Sequence, residues 1–296
     1  METLHFNDIY KSYPTKHGEP FLVLDNIDLT IHKGEFCTLV GPSGCGKSTL
    51  LKLILGQDFA TSGQLTIKST PVGHPDSTRG VVYQKYSLYP NKTVLQNVLM
   101  GPYFKIPFWK KQERQNAKDY AIELLTKVKL EKHLNKYPHE LSGGMQQRVA
   151  IIQALITQPE ILLMDEPFGA LDPGTREFMQ TLLIELWEKY QLTILFVTHD
   201  LEEACFLGTR LLVLSQYYTD DRGADFQRGA KFVVDRPLHK EPTSTHIKET
   251  AEFAELVESI RHQGFNPAHL QHVTEFDLSH PQSWSTLNSQ ENNSSH

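Results

Sequence analysis

The 296-residue chain reads as an α/β fold wound around a parallel sheet, and three stretches predict it. The first is Phe36-Cys37-Thr38-Leu39-Val40. This β-rich apolar run breaks at a glycine-rich turn, Gly41 to Gly46, and is followed by Leu50, Leu51, Leu53, Ile54 and Leu55 at helical spacing. The second is Ile161-Leu162-Leu163-Met164, a run of the fully buried type. A helical stretch, Thr175 to Tyr190, separates it from the third, Thr193-Ile194-Leu195-Phe196-Val197. Strand–helix–strand order gives parallel pairing, and sheets of that kind bind ligands at the carboxyl ends of their strands. Gly41, Asp165 and His199 each follow close on a strand, which predicts that the three face one crevice.

The remaining elements follow from local pattern. Phe21 to Ile31 largely alternates, with Leu22, Leu24, Ile27, Leu29 and Ile31 as its apolar set, and reads as a strand. Gly63 to Ile67 and Gly80 to Tyr83 read as short strands. From about Tyr86 to Ile156 the pattern turns helical. Within Lys110 to Lys129, the residues Ala117, Tyr120, Ala121, Leu124, Leu125 and Val128 make one apolar stripe, whose ordinary meaning is core packing. Ser142 stands where an N-cap belongs and predicts a second helix after it. Leu211 to Leu214 is a further strand. Tyr217 to Arg228 is polar and reads as a long hairpin loop returning through Lys231 to Val234. Ile247 to Arg261 reads as a helix, and Ser283 to His296, rich in Ser and Asn, as a disordered tail.

Bulk properties narrow the function. At 39% hydrophobic and 22% charged residues the composition is that of a soluble globular chain. A formal charge of −6 argues against a general nucleic-acid binder. Three cysteines at unrelated spacings make no disulfide framework, which points to a reducing cytosol. No run approaches the ~18 to 20 apolar residues that span a bilayer. The start, Met1-Glu2-Thr3-Leu4-His5, lacks the basic n-region and apolar run expected of a signal peptide. Any association with a membrane is therefore expected to run through a partner. His269 and His272 lie at helical spacing without further ligands nearby, so no metal site is expected there.

Three motifs carry chemistry. Gly41-Pro42-Ser43-Gly44-Cys45-Gly46-Lys47-Ser48 fits G-x-x-x-x-G-K-[ST], the P-loop, and it sits between a strand and a helix as that motif requires. Its glycines let backbone N–H groups turn inward on phosphate oxygens, Lys47 sets a cation against them, and the Ser48 hydroxyl suits Mg²⁺. Asp165 and Glu166 end an apolar strand. One carboxylate can hold Mg²⁺ through water, and the next can orient or deprotonate an attacking water. Leu141-Ser142-Gly143-Gly144-Met145-Gln146-Gln147-Arg148 places two glycines at a helix start, a poor choice for stability. They make sense if the free N–H groups there approach an anion closely. The P-loop already supplies one phosphate site, so the second is expected to serve a nucleotide held by another subunit.

With these motifs the chain resembles the ATP-binding cassette (ABC) ATPases over about Leu4 to Leu214, with the motifs in the family order. Leu141 to Gln146 is similar to the family's signature, and Ile161 to Pro167 to its Walker B strand. Ala170-Leu171-Asp172 is similar to its D-loop, His199 to its switch histidine, Gln84 to its Q-loop glutamine and Tyr13 to its adenine-stacking aromatic. The resemblance implies a P-loop NTPase core, an antiparallel β subdomain and an inserted helical subdomain at about 86–156. It places the ATPase domain at 1–236, an extension with one helix at 237–282 and the tail at 283–296. It implies Mg-ATP as ligand, with Glu166, His199 and Gln84 as catalytic residues. Tyr13, Gly41 through Ser48, Thr49, Ser142, Gly143, Gly144 and Asp172 would bind nucleotide, and Ser48, Gln84 and Asp165 would bind the metal. Two cassettes would close head to tail around two ATP molecules.

A single cassette without long heptad runs favours transport over the soluble ABC proteins of DNA repair, chromosome organisation or translation. Lys47, Asp165, Glu166 and His199 together disfavour a regulator without turnover. Absence of a fused membrane domain favours import over export. Gln84 to Val98 and Phe168 to Asp172 resemble the nitrate/sulfonate/taurine importer ATPases, although Asn91 stands where that subfamily often has tryptophan. The implied partners are a second cassette, transmembrane permease subunits and, indirectly, a solute-binding protein, with no nucleic acid. The implied location is the cytoplasmic face of the cell membrane. The aromatic run Tyr86, Tyr89, Tyr103, Phe104, Phe108 and Trp109 is expected to meet the permease or to pack the helical subdomain.

Overall fold

The computed structural model describes residues 2–15, 18, 20–84, 87–223, 228–238, 248 and 250–281. In chain order the elements begin with β1 (Glu2–Tyr13), β2 (Phe21–His32), β3 (Phe36–Val40), α1 (Lys47–Leu55), β4 (Ser62–Ile67) and β5 (Thr70–Pro71). Next come β6 (Arg79–Val82), α2 (Val94–Lys105), α3 (Lys111–Lys127), α4 (Gly143–Leu155), β7 (Ile161–Asp165) and α5 (Pro173–Tyr190). The last are β8 (Ile194–Val197), α6 (Leu201–Leu207), β9 (Arg210–Ser215), β10 (Tyr218–Thr219), β11 (Lys231–Pro237), α7 (Ala251–Phe265) and β12 (Gln271–His272). The chain divides into two units, Met1–Asp76 with Thr193–His296, and Ser77–Leu192.

The first unit is a mixed α/β body. In its central sheet β3 pairs parallel with β8 on one side and with β9 on the other, and β11 closes the edge antiparallel to β9. β3, β8 and β9 are buried along their whole length, which is why they read as nearly continuous apolar runs. A second, antiparallel sheet runs β2-β1-β4-β5. β1 hides from a simple period-two reading because its register shifts between Phe6 and Ile9, where Asp8 takes a left-handed φ of 51°.

Arg210 ties the two sheets. It is 1% exposed, and its Nε and Nη2 donate to the two carboxylate oxygens of Asp235 on β11, each at 2.7 Å. Its Nη1 donates to the Thr30 carbonyl of β2 at 2.7 Å. Replacing one partner of such a buried pair costs about 3–5 kcal/mol, because the other charge stays behind without compensation. We expect Arg210→Ala to lose stability of that order in urea titration; a loss under about 1 kcal/mol would show the pair to be dispensable.

Two segments depart from the sequence reading. Tyr217 to Arg228 is not simply a polar loop. Tyr218 is fully buried, and its hydroxyl donates to Asp25 Oδ2 at 2.9 Å. Arg222 reaches the same carboxylate, and Tyr218–Thr219 pairs parallel with Gln271–His272. The buried Asp25 draws the segment inward, since a carboxylate 0% exposed needs partners. The helix expected over 247–261 is α7, capped by Thr250 Oγ1 on the N–H of Phe253 at 3.3 Å and running on through Gly264. There the helix touches β9 so closely that a Cβ on Gly264 would lie 2.4 Å from Val213 Cγ1. The tail expected over 283–296 lies outside the described residues.

Among the described residues, the second unit holds β6 and β7, paired parallel, and the α-helices α2 to α5. Thr93 caps α2 with a reciprocal box to Gln96. The stripe of α3 is buried at Ala121, Leu124, Leu125 and Val128, as core packing requires, and the helix ends before Lys129, whose φ is 58°.

Candidate nucleotide site

In the first unit the glycine-rich turn leaves β3 and enters α1. Gly41 is obligatory: a Cβ there would lie 2.1 Å from the carbonyl oxygen of Leu214 on β9 and 2.8 Å from Cys45 Sγ. Gly46 takes φ 104° at the N-cap of α1 and offers no side-chain cap to the helix. The first turn of α1 carries no acidic residue, so its N–H groups and dipole are left to attract an anion. Lys47 Nζ donates to the carbonyls of Gly41 at 2.7 Å and Pro42 at 2.9 Å, folding the loop around its ammonium. Pro42 and Cys45 are buried, whereas Ser43, Gly44 and Ser48 are exposed. Burial pushes the Cys45 thiol up, so it is no reactive thiolate.

His199 stands beside this loop for a reason of register. Leu39 pairs with Val197, and Gly41 and His199 each lie two residues further on. The backbone N–H of Thr198 donates to the Leu39 carbonyl at 3.1 Å. The hydroxyl of Thr198 donates to the buried Glu203 carboxylate at 2.7 Å, and Asp200 caps α6. An exposed histidine is thereby mounted on a fixed pedestal.

Tyr13, the last residue of β1, is held from several sides. Its hydroxyl donates to Asp58 Oδ2 at 2.6 Å and also bonds the Thr49 side chain in the first turn of α1. Lys11 Nζ lies 4.6 Å from the ring centroid and donates to Asp58 Oδ1 at 2.6 Å. Burial, then the bond to Asp58, raises the Tyr13 pKa. Asp58 and Lys11 were not singled out in the sequence. Asp58 lies 45 residues from Tyr13, and no local pattern connects them.

The second unit repeats the register device. Val82 pairs with Met164, and Gln84 and Glu166 each lie two residues beyond. Gln84 Nε2 is 3.5 Å from Glu166 Oε2. Asp165 ends β7, and Glu166 adopts a left-handed φ of 46°. For a side chain with a Cβ that conformation carries strain of ~1–3 kcal/mol, of the kind kept where geometry serves function.

At the start of α4, Ser142 is the N-cap, and its Oγ accepts from the N–H of Met145 at 3.4 Å. The glycines that follow differ. Gly143 is exposed and open to an approaching ligand. Gly144 is buried, and a Cβ on it would lie 2.4 Å from Thr175 Cγ2. Its smallness therefore serves helix packing, a reason the sequence did not show. Asp172, exposed, caps α5 by accepting from the N–H of Thr175 at 3.1 Å, and hydrogen bonding from Thr175, its side chain first and then its backbone, lowers the Asp172 pKa. The signature helix start and the loop of Asp172 are thus joined through one threonine.

Of the aromatic run, Phe104, Phe108 and Trp109 are 80%, 74% and 67% exposed, and Phe108 and Trp109 stand edge to face at 5.0 Å. Tyr103 is covered by the Arg114 guanidinium at 4.0 Å. Tyr86 lies outside the described residues.

Known proteins resemble the chain over most of its length. The family profile described as "ABC transporter" matches residues 24–169. The taurine import ATP-binding protein TauB of Rhizobium johnstonii is 43% identical over 251 residues, covering 84% of this chain and 91% of that protein. The nitrate import ATP-binding protein NrtD of Synechococcus elongatus is 39% identical over 238 residues, covering 80% and 84%. A solved dimeric ATP-binding cassette, in a post-hydrolysis state bound to ADP and Pi, superposes with a TM-score of 0.63 at 30% identity, covering 80% of this chain and all of that one. No helix among the described residues is long and apolar enough to cross a membrane. A lysine-gripped phosphate loop and a glutamate turning off its strand, on a chain alike to these proteins over most of its length, settle the family: this protein is an ATP-binding subunit of the ABC transporters.

Proposed function

We propose that the chain hydrolyses ATP to drive import of a small oxyanion solute through a separate permease, working as a pair of cassettes at the cytoplasmic face of the membrane. The observation that carries this reading is the Gln84–Glu166 pair, in register just beyond the ends of two adjacent strands and beside a strained backbone, on a chain that also bears a complete phosphate-loop sequence. Taurine and nitrate, named for the two relatives above, share an anionic oxygen-rich group, and that shared chemistry is the class of cargo proposed. A solute-binding protein would deliver it.

In this reading the N–H groups of Gly44 to Ser48, with Ser43 and Thr49, receive the phosphates. Lys47 exchanges the carbonyls of Gly41 and Pro42 for phosphate oxygens. Ser48, Gln84 and Asp165 supply hydroxyl, amide and carboxylate oxygens, a donor set suited to a hard cation. A Mg²⁺ ion held by these groups would neutralise phosphate charge. Glu166 takes the proton of the attacking water, and His199 holds the γ-phosphate. Ser142 and Gly143 of a second copy, with Gly144 setting the helix start and Asp172 beside it, would complete the nucleotide's shell.

The exposed pair Phe108 and Trp109 gives the permease reading a concrete test. Chain purified from solubilised native membranes should bring down a polytopic permease. The double variant Phe108→Ala/Trp109→Ala should lower that recovery by about tenfold, the loss expected when an aromatic anchor is truncated. ATPase activity of the isolated chain should stay as it was. A purely soluble partner set would overturn transport, and undiminished recovery would remove these two rings from the contact.

A further inference from the structure

The tyrosine at the end of β1 is more tightly governed than a stacking platform needs to be. Its hydroxyl meets two groups, Asp58 Oδ2 at 2.6 Å and the Thr49 side chain. One ring face lies under the ammonium of Lys11, at 4.6 Å from the centroid. Lys11 is itself pinned: it is 8% exposed and donates to Asp58 Oδ1 at 2.6 Å and to the Phe59 carbonyl at 2.7 Å. The same Asp58 oxygen accepts the N–H of Phe59 at 2.7 Å, which fixes the carboxylate against its own backbone. One carboxylate therefore sets the ring's tilt through the hydroxyl and its cationic cover through the lysine. Thr49 ties the assembly to the helix start that bears Lys47 and Ser48.

We propose that Asp58 is a positioning residue for the nucleotide base: with Lys11 and Thr49 it holds the Tyr13 ring at a set tilt and a set distance from the phosphate loop. The proposal rests on the reading of Tyr13 as the base's platform. Physically, a tyrosine at a strand end rotates freely, and a base stacking on it must first stop that rotation. A ring already held by three partners leaves little freedom to be lost on binding. The Lys11 cation on the opposite face prevents the ring from being approached from both sides.

The test separates base from phosphate. ATP and inorganic tripolyphosphate are titrated into the full chain and into Asp58→Ala, Asp58→Asn, Tyr13→Phe and Tyr13→Ala, each checked for an unchanged melting curve. Asp58→Ala and Tyr13→Phe should weaken ATP by about 3- to 10-fold, the factor for one side chain left to be immobilised by its ligand. Tripolyphosphate binding should stay within twofold. Asp58→Asn, which still accepts from the hydroxyl, should recover part of the loss. In turnover, Asp58→Ala should raise KM for ATP by the same factor with kcat within twofold. If Tyr13→Ala weakens ATP but Asp58→Ala and Tyr13→Phe do not, the platform stands and the positioning role of Asp58 is overturned. If Tyr13→Ala itself leaves ATP affinity unchanged, the platform reading goes, and this proposal with it. Equal losses for ATP and tripolyphosphate would overturn the proposal by placing the effect of Asp58 on the phosphate loop.

Discussion

Glu166→Gln should lower ATP turnover by about a thousandfold, within the range that a positioned general base contributes, while ATP still binds. The change keeps the side chain's size and its place 3.5 Å from Gln84, and it leaves the left-handed turn at residue 166 as it is. What is lost is the ability to accept a proton. With hydrolysis blocked and binding intact, the ATP-loaded protein should accumulate as a dimer, seen as a doubling of mass by light scattering when ATP and Mg²⁺ are added. Phosphate release at the normal rate would refute the assignment of the base. A variant that neither hydrolyses nor dimerises would show that Glu166 is needed for binding instead.

Lys47→Ala should weaken ATP by roughly a hundredfold, the value of about two charge-assisted hydrogen bonds. The structure adds a second expectation. The Lys47 ammonium bonds the carbonyls of Gly41 and Pro42, so removing it also loosens the loop before any ligand arrives. That cost to the fold is small, about 1 kcal/mol, because the loop is partly exposed and water can replace the donor. Calorimetric titration reads the first effect and thermal denaturation the second. Unchanged ATP affinity would remove the phosphate-loop assignment.

The outline of the site was legible because its parts are local. A strand, a glycine turn and a helix start occupy consecutive residues from Phe36 to Leu55, and every choice of residue there serves one geometry. The same holds for Asp165-Glu166 at the end of β7 and for Ser142 as the cap of α4. What escaped was non-local or aperiodic. β1 breaks its alternation at Asp8, and α6, seven residues long, gives too few turns for a stripe. The two-residue pairing of β10 with β12 joins segments 53 positions apart, at Tyr218 and Gln271. Gly144 read as room for an anion because Thr175, the atom it must clear, is distant in sequence. The hold of Asp58 on Tyr13 was hidden for the same reason.

The register of β6 and β7 has a mechanical corollary. Gln84 and Glu166 each lie just past the end of one of these two backbone-laced strands, two residues beyond the paired Val82 and Met164, so their side chains share one short support. A displacement of either strand end would therefore carry the amide and the carboxylate together. Whatever tugs at one end of that splint would be felt at the carboxylate without a relay of side chains between them.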